Sequence, residues 1–154
     1  MSRKLVSKLS NRQCFTLIEK DTLKTASEKF QKHNVGAMPV LNEKYNNVIG
    51  IISERDLAQY ICNDKFISDL IVTKIMTKNI ISCTLNTSVT ELMELISSYK
   101  IRHILIMEEK KLLGIVSIGD VVNHIIEQYK DENQQLRNFI NQWFLSGSLL
   151  RGFT

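Results

Sequence analysis

Two Ser-x-x-Asp motifs are the residues of this chain best suited to chemistry. Ser53 and Asp56 follow a Gly-Ile-Ile run, and Ser117 and Asp120 follow Gly-Ile-Val. In each copy a β-branched run ends at the serine, which predicts a strand that leads into a helix. The serine is then an N-cap and the aspartate lies in the favourable first turn. Helix capping is therefore the ordinary explanation of each pair.

A ligand site at the helix start is the second explanation. The free backbone N–H groups at a helix N-terminus bind anions. A nearby carboxylate can accept both hydrogen bonds of a ribose diol. In the first copy Arg55 lies between the serine and the aspartate and adds a forked donor for phosphate. Recurrence of the motif with its glycine favours a ligand site, and the residues alone leave both explanations open.

The motifs belong to an internal repeat. The segment 48–57 returns as 112–121. Each copy holds a short apolar strand, an amphipathic helix, two strands joined by a polar turn, and a second helix, so the fold class is mixed α/β with two β-α-β-β-α units. The segment between the copies, 64–78, has no Gly/Ser tract, which predicts a packed connector and not a flexible linker.

These patterns divide the chain into four parts. Residues 1–7 are a basic N-terminal tail, 8–66 the first repeat, 76–134 the second repeat, and 135–154 a helical extension with a frayed end. The helical pattern after the second repeat is one long or broken amphipathic helix. Its late apolar residues favour core or partner-helix contacts over a base-stacking platform: Phe139, Ile140, Trp143 and Phe144.

The positive net charge of +4 is concentrated at the N-terminus. Four basic residues and no acidic ones lie in the first twelve positions: Arg3, Lys4, Lys8 and Arg12. The remainder holds 16 basic and 16 acidic side chains, because the totals are 20 and 16. Such a tail has no aromatic residue with which to recognise nucleic-acid bases, so the composition argues against a nucleic-acid partner.

Three cysteines lie far apart and form no Cys-x-x-Cys pair, and the three histidines show no ligand spacing relative to them. We therefore expect free thiols, no metal and a reducing compartment. No segment reaches the ~20 apolar residues of a membrane span, and the N-terminus lacks the apolar run of a signal peptide. These features predict a cytoplasmic protein with no membrane partner.

The sequence resembles a tandem pair of cystathionine β-synthase (CBS) domains, the Bateman module, over about residues 8–134. The resemblance rests on Gly-Ile-Ile-Ser-Glu-Arg-Asp in the first copy, and on Arg-His followed by Gly-Ile-Val-Ser-Ile-Gly-Asp-Val-Val in the second. It is strongest to small stand-alone bacterial members. It implies two repeats packed with pseudo-twofold symmetry and two clefts, which in the family commonly bind AMP, ADP, ATP, NAD or S-adenosylmethionine.

The resemblance also implies roles for the motif residues. Asp56 and Asp120 would each hold a ribose, while Ser53 and Ser117 would approach the phosphate or ribose. Arg55 would be an extra phosphate contact.

Arg102 and His103 match basic positions that face phosphate in the family, and they would serve a second cleft with Asp120. The first copy has Gly36 and Ala37 there, so we expect two unequal clefts. From the residues alone, Arg102 is equally an interface residue, and His103 a half-buried strand residue.

Two further expectations concern the strands. Thr16 and Ser82 are equivalent hydroxyls on the first strand of each repeat, which in the family often serves the cleft whose aspartate comes from the other repeat. Leu105 stands where the second copy commonly has a proline, as Pro39 does in the first. Leucine fits the same apolar slot, but its backbone N–H needs an acceptor.

No nucleophile elbow, Walker loop or carboxylate pair is present, which argues against an enzyme. The leading hypothesis is a regulatory module with no obligatory cofactor that binds an adenosine ligand, senses nucleotide or energy state, and acts on an unknown protein partner. The resemblance implies a homodimer. The alternative is a structural interaction module with empty clefts, whose C-terminal aromatic helix binds partners.

Overall fold

The computed structural model describes residues 4–62 and 68–149, and the chain divides into two compact units, Met1–Ile118 and Gly119–Thr154. In chain order the elements are α1 (Lys4–Ser10), β1 (Leu17–Ile18), α2 (Leu23–His33), β2 (Ala37–Leu41), β3 (Val48–Ser53), α3 (Glu54–Cys62), a 3-10 turn (Val72–Lys74), β4 (Ser82–Cys83), α4 (Val89–Tyr99), β5 (His103–Glu108), β6 (Lys111–Ser117) and α5 (Ile118–Leu149).

Two three-stranded sheets share one topology. Strand β1 pairs parallel with β2, which pairs antiparallel with β3; β4, β5 and β6 repeat this order. The register is also shared, since Val40 faces Gly50 in the first sheet and Ile106 faces Gly114 in the second. The predicted β-α-β-β-α repeat and the mixed α/β class are therefore confirmed.

Leu105 occupies the second-sheet position that Pro39 holds in the first. Pro39 pairs with Ile51, and Leu105 pairs with Ile115 in the matching register. The leucine side chain is fully buried, and its backbone N–H donates to the carbonyl of Ile81 at 3.3 Å. Ile81, the residue before the parallel strand β4, thus supplies the acceptor that a leucine requires here.

Helices α2 and α4 begin and end in the same way. Thr22 caps α2, and Ser88 forms a capping box with Glu91 at the start of α4. Each helix ends at a residue in the left-handed region, Asn34 with φ 50° and Lys100 with φ 53°. Asparagine tolerates this conformation better than lysine, so the second repeat carries more backbone strain at this position.

The segment before each repeat packs on the sheet of the other repeat. Helix α1 lies against β6, and the Arg12 guanidinium donates to the carbonyl of Ile115 at 3.1 Å. In the other direction, Thr77 and Ile51 exchange backbone hydrogen bonds of 2.8 and 2.9 Å. This reciprocal exchange is what an approximate twofold arrangement requires, and it shows that the connector is packed at Thr77.

Gly50 and Gly114 lie where a segment of the other repeat crosses close to the strand. A Cβ on Gly50 would lie 2.5 Å from Sδ of Met76 and 3.0 Å from the carbonyl oxygen of Thr77. A Cβ on Gly114 would lie 3.2 Å from the carbonyl oxygen of Leu9. The two positions therefore bring a crossing segment close to the strand, at a distance that a larger residue would disturb.

The N-terminal tail prediction is wrong for residues 4–7. These residues form the first half of α1, and Leu5, Val6 and Leu9 are buried. The alternation of basic and apolar residues at helical spacing lets the helix bury one face while its charges stay in water. Residues 1–3 of the predicted tail and 63–66 of the predicted first repeat lie outside the described residues.

Helix α5 continues without a break for 32 residues. It includes residues 146–149, which the sequence predicted to be frayed; residues 150–154 lie outside the described residues. Its late apolar side chains are between 49% and 68% exposed: Leu136, Phe139, Ile140, Trp143, Phe144 and Leu145. In the described part of the chain these side chains are not core residues.

Candidate functional site

A cavity of about 510 Å³ opens in the first unit where β3 ends and α3 begins. Residues of both repeats line it, because the loops before β2 and β5 meet there. The lining consists of Gly36, Ala37, Ile51, Ser53, Glu54, Arg55, Asp56, Ala58, Thr77, Asn79, Ile81, Lys100, Ile101, Arg102 and His103.

Ser53 and Asp56 are bonded to each other at this helix start. The backbone N–H and the hydroxyl of Ser53 donate to Oδ2 of Asp56 at 2.7 and 2.8 Å, and the Asp56 N–H lies 3.4 Å from the serine oxygen. This is a reciprocal cap, so the capping explanation holds for the first copy. None of the hydrogen bonds described for Asp56 uses Oδ1. The cap therefore fixes the carboxylate in place and leaves one oxygen to accept from a ligand.

Four basic side chains line the cavity with Asp56. Arg55 comes from the first repeat, while Lys100, Arg102 and His103 come from the second. Arg55, Lys100 and Arg102 are exposed, and His103 is half-buried. With the carboxylates of Glu54 and Asp56, the lining has a formal charge of +1 when His103 is neutral and +2 when it is protonated. This balance favours an anionic ligand.

Arg102 and His103, which we expected in a second cleft with Asp120, lie beside Asp56 in this structure. Both residues line the cavity that holds Asp56. A Cβ on Gly36 would lie 3.4 Å from Cε1 of His103 and 3.7 Å from Oε2 of Glu54. The equivalent positions of the two repeats thus lie side by side, and the basic pair of the second repeat lines the cavity at the helix start of the first.

The other predicted site residues do not line this cavity. Ser117 closes β6, and Asp120 lies in the first turn of α5. Thr16 is half-buried, and its carbonyl accepts from Nζ of Lys29 at 3.5 Å. Ser82 is exposed on β4. Ile81, the residue before β4, lines the cavity beside Asp56.

Sequence reasoning missed several lining residues. Lys100 precedes the Ile-Arg-His run, and its position beside two basic residues was a signal that could have been used. Thr77 and Asn79 belong to the connector and have no motif of their own. They reach the cavity only because the connector crosses onto β3.

Apolar side chains complete the walls of the cavity. Three isoleucines contribute, Ile51, Ile81 and Ile101, together with Ala37 and Ala58. An apolar slot beside a fixed carboxylate and several cations suits a ligand with a flat apolar group, a diol and an anionic group. Within the described ranges, no group of three His, Cys, Asp or Glu side chains is placed to hold a metal ion.

The thiols are separate from this site. All three cysteines are free, with Cys62 exposed and Cys83 buried. Burial raises the pKa of the Cys83 thiol to about 11, and burial also raises the pKa of Cys14. Neither buried thiol is poised as a nucleophile, since the thiolate is the reactive form.

The architecture and this site define a tandem pair of CBS domains. The CBS domain family model matches residues 6–63 and 72–127, and the chain belongs to that family. No helix in the described part of the chain has the length and apolar character needed to cross a bilayer.

Known relatives agree with this assignment. The chain is 36% identical over 124 residues to the mitochondrial CBS domain-containing protein CBSX3 of Arabidopsis thaliana, which covers 78% of this chain and 60% of the plant protein, less than two thirds of its length. A crystal structure of a CBS-domain-containing protein from Agrobacterium tumefaciens is 31% identical, with a TM-score of 0.73, over 79% of this chain and 96% of that one.

A second similar structure, at 22% identity and a TM-score of 0.69, covers 75% of this chain and 88% of its own; it is a CBS domain protein from Pyrobaculum aerophilum complexed with AMP. At that identity the likeness establishes the fold.

Proposed function

We propose that the cavity binds an adenosine-containing ligand with at least one phosphate, and that the protein is a non-catalytic regulatory module. The observation that carries this proposal is the carboxylate of Asp56. Ser53 fixes it in a cavity that also has isoleucine walls and three permanent cations. Oδ1 would accept from the ribose, and the isoleucines would enclose the adenine.

The cations support a phosphate-bearing ligand within the adenosine class. Arg55 offers the forked guanidinium that suits phosphate, with Lys100 and Arg102 facing the same cavity. This set favours AMP, ADP, ATP or NAD(H) over S-adenosylmethionine, whose sulfonium is positive. Proteins of the same fold hold AMP in one case, and 5′-methylthioadenosine with S-adenosyl-L-methionine in another.

Regulation follows if the ligand binds two states of the protein unequally. We place the regulated action on a protein partner, in response to nucleotide or energy state. We place the protein in the cytoplasm, in keeping with its three free cysteines. For Asp120, the matching aspartate of the second repeat, ribose binding stays a prediction, as does a phosphate or ribose contact for Ser117, Thr16 and Ser82.

Thermal unfolding tests the ligand proposal. AMP, ADP, ATP, NADH, S-adenosylmethionine and a short DNA duplex are compared at equal concentration. A ligand at about 100 times its dissociation constant adds about 2.7 kcal/mol, which raises the midpoint by roughly 5–10 °C for a chain of this size. The proposal fails if no adenosine compound shifts the midpoint, and a salt-sensitive shift by DNA alone would support a nucleic-acid role instead.

The Asp56→Ala variant tests the assigned residue, with Ser88→Ala as its matched control. Both changes remove part of a helix cap and cost about 1 kcal/mol. Ser88 caps α4 and does not line the cavity. We expect Asp56→Ala to lose the ligand-induced shift and Ser88→Ala to keep it. Equal shifts in the two variants would contradict the ribose assignment.

The alternative function is a structural interaction module with no ligand. The exposed apolar residues of α5 favour it, since a large exposed apolar patch usually marks a contact site. The ligand panel separates the two functions, because an interaction module shows no nucleotide-dependent shift. A contact through α5 is compatible with either outcome.

A further inference from the structure

The exposed face of α5 carries a heptad repeat. From Val122 to Trp143, the steps between successive positions of one face alternate between four and three residues. In heptad notation the a positions are Ile126, Asn133 and Ile140, and the d positions are Val122, Tyr129, Leu136 and Trp143. Their apolar members are between 46% and 66% exposed. We propose that this face pairs with the same face of a second copy of the chain as a parallel, two-stranded coiled coil.

The types of core residue support two strands. Isoleucine at a with leucine at d is the combination that favours parallel dimers, as found at Ile126, Leu136 and Ile140. A single asparagine at an a position specifies the same state and register at some cost in stability, and Asn133 is that residue. The outer positions of the middle heptads are polar, so the apolar face of this part of the helix is a single seam: Asp131, Gln134, Gln135, Asn138, Asn141 and Gln142.

Asn133 also discriminates between orientations. It is exposed, and its Nδ2 donates to the carbonyl of Tyr129 at 3.0 Å. In a parallel pair, a faces a, so the asparagine meets its own copy and the two amides can bond across the axis. In an antiparallel pair, a faces d, so Asn133 would be buried against an apolar side chain, which is costly for an amide.

The flanking positions add charge complementarity of the same orientation. In a parallel pair, a g residue meets the e residue five positions later on the other helix. Glu132 is at g and Arg137 at e, five positions apart, so the dimer would have this ion pair twice. Phe139 and Phe144 repeat the spacing one heptad later and extend the apolar core. An antiparallel pair brings g against g and forms neither contact.

Disulfide trapping of the full chain tests this proposal. The exposed Cys62 is first changed to serine, so that it cannot cross-link, and Asn133→Cys is then compared with Asn138→Cys. Position 133 faces its own copy only in the parallel pair, while position 138 is on the outer face. In a glutathione buffer at micromolar protein, we expect nearly complete dimer formation for Asn133→Cys and roughly tenfold less for Asn138→Cys.

Adding Ile140→Asp to the Asn133→Cys chain tests the apolar seam. Two buried isoleucines are lost per dimer, so the dissociation constant is expected to rise roughly a hundredfold and the cross-link to disappear at the same protein concentration. Far-UV circular dichroism and an unchanged nucleotide response confirm that the CBS pair is still folded. The proposal is overturned if Asn133→Cys does not cross-link, if both cysteines cross-link equally, or if the cross-link survives Ile140→Asp.

Discussion

Replacing Lys100 with glycine is expected to make the protein more stable and its ligand weaker at the same time. Lys100 ends α4 in the left-handed region, with φ 53°, and its exposed side chain lines the cavity. A left-handed conformation costs an L-residue about 1–2 kcal/mol, and glycine avoids this cost. Glycine also loses more backbone entropy on folding, which costs about 0.5–1 kcal/mol. The net gain is about 0.5–1 kcal/mol, or roughly 1–4 °C in the unfolding midpoint.

The loss of affinity has a separate origin. One positive charge at about 4 Å from a phosphate in water is worth about 1 kcal/mol, which corresponds to roughly a fivefold change in the dissociation constant. Isothermal titration with the adenine nucleotide that most raises the wild-type midpoint measures this factor. Low salt strengthens the contrast, because the contact is exposed to solvent.

Two variants separate strain from charge. Asn34→Gly changes the equivalent helix end of the first repeat, which does not line the cavity, so it should leave affinity unchanged and give a smaller gain in stability. Lys100→Ala removes the charge and keeps the strain, so it should weaken binding without a gain. The reasoning is refuted if Lys100→Gly lowers the midpoint or binds the nucleotide as tightly as wild type.

Three further outcomes are expected. Gly50→Ala should lower the free energy of unfolding, measured with denaturant, by about 1–3 kcal/mol, because the new Cβ meets a crossing carbonyl and methionine. Gly36→Ala should lower it little, because the nearest atom to its new Cβ is 3.4 Å away. Equal costs would contradict the packing argument. In the folded protein at pH 8, a thiol reagent should label the exposed Cys62 and spare Cys83, whose pKa is raised by burial to about 11; equal labelling rates would refute this. The hydrogen bonds from its N-cap serine lower the pKa of Glu91 in the folded state, so its contribution to stability is present above about pH 4.5 and is lost as the pH falls through the folded pKa. A plot of midpoint against pH should therefore be flatter between about pH 5 and 3 in Glu91→Gln, and an unchanged slope would argue against the capping box.

Much of the fold could be predicted because local patterns carry it. The repeat, its strand and helix order and the helix starts at Ser53 and Ser117 are visible as periodicity and cap residues. Helix α1 was missed since its basic residues dominate a short segment and conceal its apolar face. The unbroken course of α5 was uncertain because its middle is polar, although the heptad continues through it.

The candidate site was only partly predictable. Ser53, Arg55 and Asp56 are neighbours in sequence. They lie together in the cavity because all three are at the start of the same helix. The position of Arg102 and His103 beside Asp56 could not be predicted, because it depends on how the two repeats face each other. No periodicity within one repeat contains that information.

The sequence by itself determined the class of this protein, the repeated unit and the motif at each helix start, because each depends on residues within a few positions of one another. It also contains the heptad of α5, which is a property of spacing alone. Only the tertiary structure decided that Lys100, Arg102 and His103 belong with Asp56. The physical reason is that segments cross between the two sheets, which brings groups far apart in the chain to one cavity. Where the segments cross, the close approach requires glycine at positions 50 and 114.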